Sequence, residues 1–127
     1  LDGAHNPAAA RTLAGMLPGL GYRRVVVVVG VMEDKDVAGV LKPLLAAADQ
    51  AVLTRPRYHR AASVDALAAA AGDFRGPVET ATPIEKAVET AYQRAEAQDL
   101  VVVTGSLFTA GEARAYLTRD QTSVLTG

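Results

Sequence analysis

The sequence predicts an α/β fold: a doubly wound, mostly parallel sheet with helices on both faces. Three observations lead there. Val25-Val26-Val27-Val28-Val29 is a run of β-branched residues with no polar alternation, and a run of that kind belongs in the centre of a parallel sheet covered on both sides. Asp99-Leu100-Val101-Val102-Val103-Thr104 repeats the pattern late in the chain. Around these two segments, helix-like and strand-like stretches alternate as α-β-α-β-α-β-α-β-α, the order of a Rossmann-like sheet.

Each element has a local reason. Asn6-Pro7 opens the first helix, because Asn is a good N-cap and Pro suits the first helical position, where its missing N–H has no partner to lose. The helix is predicted from Asn6 to Leu17, with Ala8, Leu13, Ala14 and Leu17 near one face, and Pro18-Gly19-Leu20-Gly21 ends it. The valine strand follows, then the charged loop Val31-Met32-Glu33-Asp34-Lys35-Asp36, with Asp34 or Asp36 as a cap. Val37 to about Leu45 reads as helix, and Pro43 within it predicts a kink or break near Val40 to Lys42. Ala51 to Thr54 is a short strand and Arg55-Pro56-Arg57-Tyr58-His59-Arg60 a basic loop. Ser63 caps a helix through Ala71, closed by Gly72. Pro77 to Thr80 is a weak strand at or near an edge. Thr82-Pro83-Ile84-Glu85 has the pattern of a capping box, with Thr as N-cap, Pro at N1 and Glu at N3. The helix after it runs to about Glu96 or Ala97. After the second buried strand, Gly105-Ser106-Leu107 turns into a last helix from Thr109 to Leu117, with Thr109 and Glu112 placed for another capping box. The tail from Thr118 to Gly127 is polar and reads as frayed or extended.

Composition bounds the function. The chain of 127 residues is enough for one domain with a single core, and 50% hydrophobic with 21% charged residues is a globular balance. A net charge of −1 without a basic run argues against nucleic acid and anionic membrane as partners. With no Cys, disulfides and thiolate-bound zinc are excluded, and two His residues are too few for a His-rich metal site. No stretch approaches a membrane span and no signal peptide is visible, so a cytoplasmic setting is expected. The chain starts at Leu1 without Met, which reads as a domain cut from a longer protein.

Open parallel sheets bind ligands at the carboxyl ends of their strands. That rule selects four loops: Gly3 to Asn6, Gly30 to Asp36, Arg55 to Arg60 and Gly105 to Phe108. They carry Asp2, His5, Asn6, Asp34, Lys35, Asp36, Arg57, His59, Arg60 and Ser106 on one rim. Simpler roles compete: Ser106 as a helix cap, Arg55 and Arg57 as surface charges, Asp34 as part of a solvated turn, His59 as an exposed structural residue. Asp2 and His5 share a short turn before a helix N-terminus, where free N–H groups and a partial positive charge gather. There is no G-x-x-x-x-G-K-[ST] loop, no G-x-G-x-x-G after a strand and no G-x-S-x-G elbow. Alone, the chain reads as an incomplete enzyme.

Asp2-Gly3-Ala4-His5-Asn6-Pro7 resembles the signature that opens the C-terminal domain of folylpolyglutamate synthase/dihydrofolate synthase, a Mur-ligase-like group of ATP-dependent amide ligases. The resemblance continues through Gly30 with Asp34-Lys35-Asp36, Arg60-Ala61-Ala62, and Gly105-Ser106-Leu107 with Gly111-Glu112. Where the family often has Pro before the Arg of the third motif, this chain has His59. The resemblance implies that ATP phosphorylates a folate or dihydropteroate carboxylate, and that the amine of L-glutamate then displaces phosphate. It implies Asp2 at the nucleotide, His5, Ser106 and Arg60 at glutamate, and Asn6, Lys35 and Asp36 as candidates for an interdomain rim. ATP and Mg2+ are implied as cofactors, held mainly by an N-terminal domain. Two other readings stand beside it: a Mur ligase C-terminal domain acting on a cell-wall precursor, and a stand-alone Rossmann-type binding module. The basic loop from Arg55 to Arg60, in place of an Asp-Asn-Pro-Arg type loop, favours the folate branch.

Overall fold

The computed structural model describes residues 6–117 and 124–126, with the backbone alone at 107, 108, 117 and 124–126. Asn6 and Pro7 act as expected: the Asn6 side chain accepts from the Ala9 N–H at 2.8 Å, and helix α1 (Pro7–Met16) follows, continued by a 3-10 turn over Leu17–Leu20. The remaining elements are β1 (Val25–Val29), α2 (Val37–Ala46), β2 (Gln50–Leu53), α3 (Val64–Ala70), β3 (Val78–Thr80), α4 (Ile84–Arg94), β4 (Leu100–Thr104), α5 (Leu107–Leu117) and β5 (Val124–Thr126). The strands form one sheet in the order β3-β2-β1-β4-β5, and every pairing is parallel.

All five valines of β1 are buried, and alternation along the strand assigns them to two cores. Val25, Val27 and Val29 pack with Ala10, Leu17, Val40, Leu41, Leu44 and Leu67 from the α1, α2 and α3 side. Val26 and Val28 pack with Ile84, Ala87, Val88, Ala91 and Ala113 from α4 and α5. The chain moves outward from β1 to β3 with its helices on one face. It then returns beside β1 and continues to β5 with its helices on the other. Crossovers of one hand require that change of face when the direction of travel reverses.

Five expectations need correction. The buried line of α1 runs through Ala10, Leu13 and Leu17, and Ala8 is exposed; residues 8 and 13 are about 140° apart on a helix, too far to share a narrow face. Helix α2 continues through Pro43 without a break. A proline inside a helix costs about 3 kcal/mol, and burial of Val40, Leu41, Leu44 and Leu45 at about 1.5–3 kcal/mol each outweighs it. Helix α4 starts one residue later than the capping box requires, with Pro83 as N-cap and no side-chain cap. Helix α5 starts at Leu107, so Thr109 lies inside it. Finally, the tail contributes a fifth strand, with Val124–Thr126 paired to Val101–Val103.

At the amino edge of the sheet, Asp99 joins β1 to β4. Its buried carboxylate accepts from Arg24 Nε at 3.2 Å and Nη2 at 2.9 Å, and from the Glu96 N–H at 2.8 Å. The Arg24 guanidinium holds the Asp99 carboxyl below the usual aspartate range, although burial opposes it. The Asp49 carboxylate accepts the Val25 N–H at 2.8 Å, fixing the start of β1.

Candidate functional site

Because every pairing is parallel, the loops after β1, β2, β3 and β4 leave the sheet at one edge. The strand order reverses between β1 and β4, and there the chain is drawn tight. The Gly30 N–H donates to the Thr104 carbonyl oxygen at 3.2 Å and the Thr54 N–H donates to that of Val29 at 2.9 Å. A Cβ on Gly30 would lie 2.7 Å from Thr109 Oγ1 and 3.0 Å from Pro56 Cδ. Gly105 has a φ of +111°, and a Cβ there would collide with the Gly30 backbone. Both positions therefore need glycine.

Ser106 and Thr109 close this corner. The Thr109 hydroxyl donates to the Gly30 carbonyl oxygen at 2.8 Å. Its single proton is thus committed, so Ser106 Oγ is the donor in the 2.8 Å bond to Thr109 Oγ1. Ser106 Oγ also accepts the Thr109 N–H at 2.9 Å and so caps α5. Ser106 is 2% exposed, and its hydroxyl is held by the helix it starts. Thr104 at the end of β4 and Thr54 just after β2 carry buried hydroxyls with no hydrogen-bond partner among the described residues.

The loops after β1 and β2 are joined backbone to backbone. Met32 and Ala61 form an antiparallel bridge, the Ala62 N–H donates to Val31 at 2.8 Å, and the Glu33 N–H donates to Arg60 at 2.7 Å. Arg55 braces its own loop, donating to the carbonyl oxygens of Ala61 at 3.1 Å and His59 at 3.3 Å. Lys35 and Arg60 are exposed, and neither side chain has a hydrogen bond or ion pair among the described residues. Asp36 is the cap of the pair proposed for α2, accepting the Gly39 N–H at 3.0 Å. His59 is exposed, its ring 4.9 Å from that of Tyr58. A groove of about 500 Å³ opens among these loops, with Glu33, Arg55, Ser63 and Thr82 among its lining, a size suited to a small polar molecule.

Arg57 is the residue whose position the sequence did not reveal. Its guanidinium makes a two-pronged pair with Glu85 of α4, both contacts at 2.8 Å, and reaches Glu112 of α5 at 3.2 Å. Its backbone N–H donates to Glu112 at 2.6 Å. The pairing holds Glu85 below the usual glutamate range. Both glutamates of the two capping boxes that do not form are thus partners of Arg57.

The structure thus brings Arg60 beside the loop bearing Lys35 and Asp36, and ties Ser106 to Thr109, which in turn is bonded to Gly30. Asp2 and His5 lie outside the described residues, and Asn6 serves as the α1 cap. Among the described residues no group of three or more His, Asp or Glu is placed to hold a metal ion, and no step through magnesium is assigned to this chain.

Residues 1–107 match the family model described as Mur ligase, glutamate ligase domain. The chain belongs to that family. As a glutamate ligase domain it is 41% identical over 120 residues to a probable bifunctional folylpolyglutamate synthase/dihydropteroate synthase of Halobacterium salinarum, covering 94% of this chain and 15% of the relative. Its fold matches the folylpolyglutamate synthase of Mycobacterium tuberculosis complexed with ADP, with a TM-score of 0.84, 38% identity, and coverage of 96% of this chain and 30% of that one. It likewise matches a bifunctional folylpolyglutamate synthase/dihydrofolate synthase with Mn, AMPPNP and L-glutamate bound, with a TM-score of 0.81, 35% identity, and coverage of 93% and 28%. The glutamate ligase domain therefore spans less than a third of each of these proteins.

Proposed function

We propose that this glutamate ligase domain is the C-terminal part of an ATP-dependent amide ligase that adds L-glutamate to the carboxylate of a folate or dihydropteroate. The observation that carries the reading is the shared fold, over 93% of the chain, with a ligase whose structure holds Mn, AMPPNP and L-glutamate. In this reading a substrate carboxylate oxygen attacks the γ-phosphorus of ATP and ADP leaves. The glutamate amine then attacks the acyl carbon, loses a proton, and inorganic phosphate departs. Holding the two reactants in line supplies much of the acceleration.

ATP and Mg2+ belong mainly to an N-terminal domain, since this chain has no phosphate-cradling loop of its own. On this domain Asp2 contacts the nucleotide and His5 and Arg60 hold glutamate, while Ser106, buried and bonded to Thr109, supports that edge as the α5 cap. Arg60 suits that role because its exposed guanidinium has no partner among the described residues and can make a two-pronged grip on a carboxylate. Lys35 offers to the rim between domains an exposed ammonium with no partner among the described residues, whereas Asn6 and Asp36 each commit a side-chain oxygen to a helix cap. The cytoplasm is the setting this chemistry suits, and no helix among the described residues is long and apolar enough to cross a membrane.

The test is ADP release by the full-length protein supplied with ATP, Mg2+, L-glutamate and either dihydropteroate or a reduced folate. Turnover that needs both glutamate and the pterin carboxylate supports the reading. Turnover with a UDP-linked muramoyl substrate instead would assign the domain to the cell-wall branch. The 127-residue domain alone is expected to show no steady-state ATPase.

A further inference from the structure

We infer that Arg57 is a positioning residue for the glutamate-binding edge, fixing the loop that carries Arg60 relative to the turn that carries Ser106. The inference rests on the proposed ligase function. Strands β2 and β4 do not touch, because β1 lies between them. The β2 loop nevertheless reaches the β4 side. Pro56 sits against Gly30 at the end of β1, and the next residue is tied to α5 by its backbone N–H to Glu112 at 2.6 Å. The Arg57 guanidinium adds a second tie to Glu112 and a two-pronged pair with Glu85 at the start of α4.

Arg60 lies three residues beyond this anchor, and Ser106 six residues before Glu112. Arg55 braces only its own loop, and the bridge at Met32 and Ala61 joins only the β1 and β2 loops. Beside the Thr109–Gly30 bond at the end of β1, the Arg57 cluster ties the β2 loop to both α5 and α4. An isolated exposed ion pair does little. Here one guanidinium holds two carboxylates from two helices, and its planar fork gives the pairing a fixed direction. A carboxylate bound by Arg60 and a group bound near Ser106 would be kept at a fixed separation by that direction.

The experiment uses the full-length ligase. Arg57→Ala is expected to raise the glutamate KM about ten- to hundredfold, with the ATP KM and the thermal midpoint little changed. Arg57→Lys should recover part of the loss, and the exchange Arg57→Glu with Glu85→Arg should recover more than either single change. Amide hydrogen exchange of residues 55–62 should speed up in Arg57→Ala. A glutamate KM within about twofold of wild type, or equal rises in both KM values together with a lower thermal midpoint, would overturn the inference. Unchanged exchange in the 55–62 segment would overturn it whatever the kinetics show. A wild-type protein that turns over without needing glutamate would instead refute the proposed ligase reaction, and the exchange measurement would still decide the role of Arg57 in holding the loop.

Discussion

Thr109 and Gly30 are 79 residues apart in the chain and are joined by one buried hydrogen bond, the threonine hydroxyl donating to the glycine carbonyl oxygen at 2.8 Å. That bond holds the first turn of α5 on the end of β1. Thr109→Val keeps the shape and removes the donor, leaving the Gly30 carbonyl oxygen without it. The expected loss is about 1–3 kcal/mol of stability by urea denaturation. Thr109→Ser, which keeps the hydroxyl, should lose less. Equal stability of the two variants would mean that the carbonyl finds another partner.

Two glycines should respond with opposite signs to the same substitution. Gly105→Ala places a Cβ against the Gly30 backbone at a φ of +111°, and a loss of about 1–3 kcal/mol is expected. Gly111 lies within α5 with nothing within 4 Å of an added Cβ. Gly111→Ala should therefore gain about 0.5–1 kcal/mol from the lower entropy of the unfolded chain. Thermal melts of the two variants beside wild type check both signs.

Ser106 and Arg60 should separate by stability. Ser106→Ala removes the α5 cap and is expected to cost about 1 kcal/mol, and through the loosened turn to raise the glutamate requirement of the full-length ligase. Arg60→Ala removes an exposed side chain with no described partner and should leave the melt unchanged. Its glutamate KM should rise about ten- to hundredfold, the worth of a hydrogen-bonded contact to a charged group. Unaltered glutamate kinetics in Arg60→Ala would remove it from the site.

Asp99 sets a dependence on acid. Its folded carboxyl lies below the ordinary aspartate value of 3.8, chiefly through the hydrogen bonds from Arg24. A depressed carboxyl contributes stability that is fully present above the unfolded value and is lost as pH falls through the folded one. Stability should therefore be level in Asp99 above about pH 4–5 and decline below that. In Asp99→Asn the acid limb should be shallower and stability at neutral pH lower. An acid limb as steep as wild type would assign the dependence to other carboxylates, Glu85 first among them because Arg57 shifts it in the same direction.

The central strands were legible because nothing else accommodates five valines in a row: each face of β1 needed a cover, and α1 to α3 and α4 to α5 supply the two. Caps at Asn6, Asp36 and Ser63 were legible because each acts within three residues of itself. The capping boxes at Thr82 and Thr109 did not form because α4 starts one residue later and α5 starts at Leu107, and their glutamates pair with Arg57, which is 28 residues from Glu85 and 55 from Glu112. No local rule reads across such distances. Strand β5 was missed because three residues in a polar tail give no periodicity of their own, and its pairing with β4 supplies the order. The place of Arg60 and Ser106 at one edge was legible because a parallel sheet sends its loops there. Arg57 was seen only as one of several charges, since its importance lies in what it reaches.

The end of β1 has a consequence for how this edge can hold a molecule. Doubly wound sheets usually receive a ligand where the strand order reverses, close against a glycine backbone. Around Gly30 that space is already taken by Pro56, Thr109 and the Thr54 carbonyl oxygen. The groove at this edge lies farther out, between the β1 and β2 loops, and is open on one side, so a molecule held there by this domain alone keeps part of its surface uncovered. A second surface that covers the open side gains binding free energy from the same event. Occupancy of the edge and approach of that surface become thermodynamically linked, each raising the affinity for the other by the same factor.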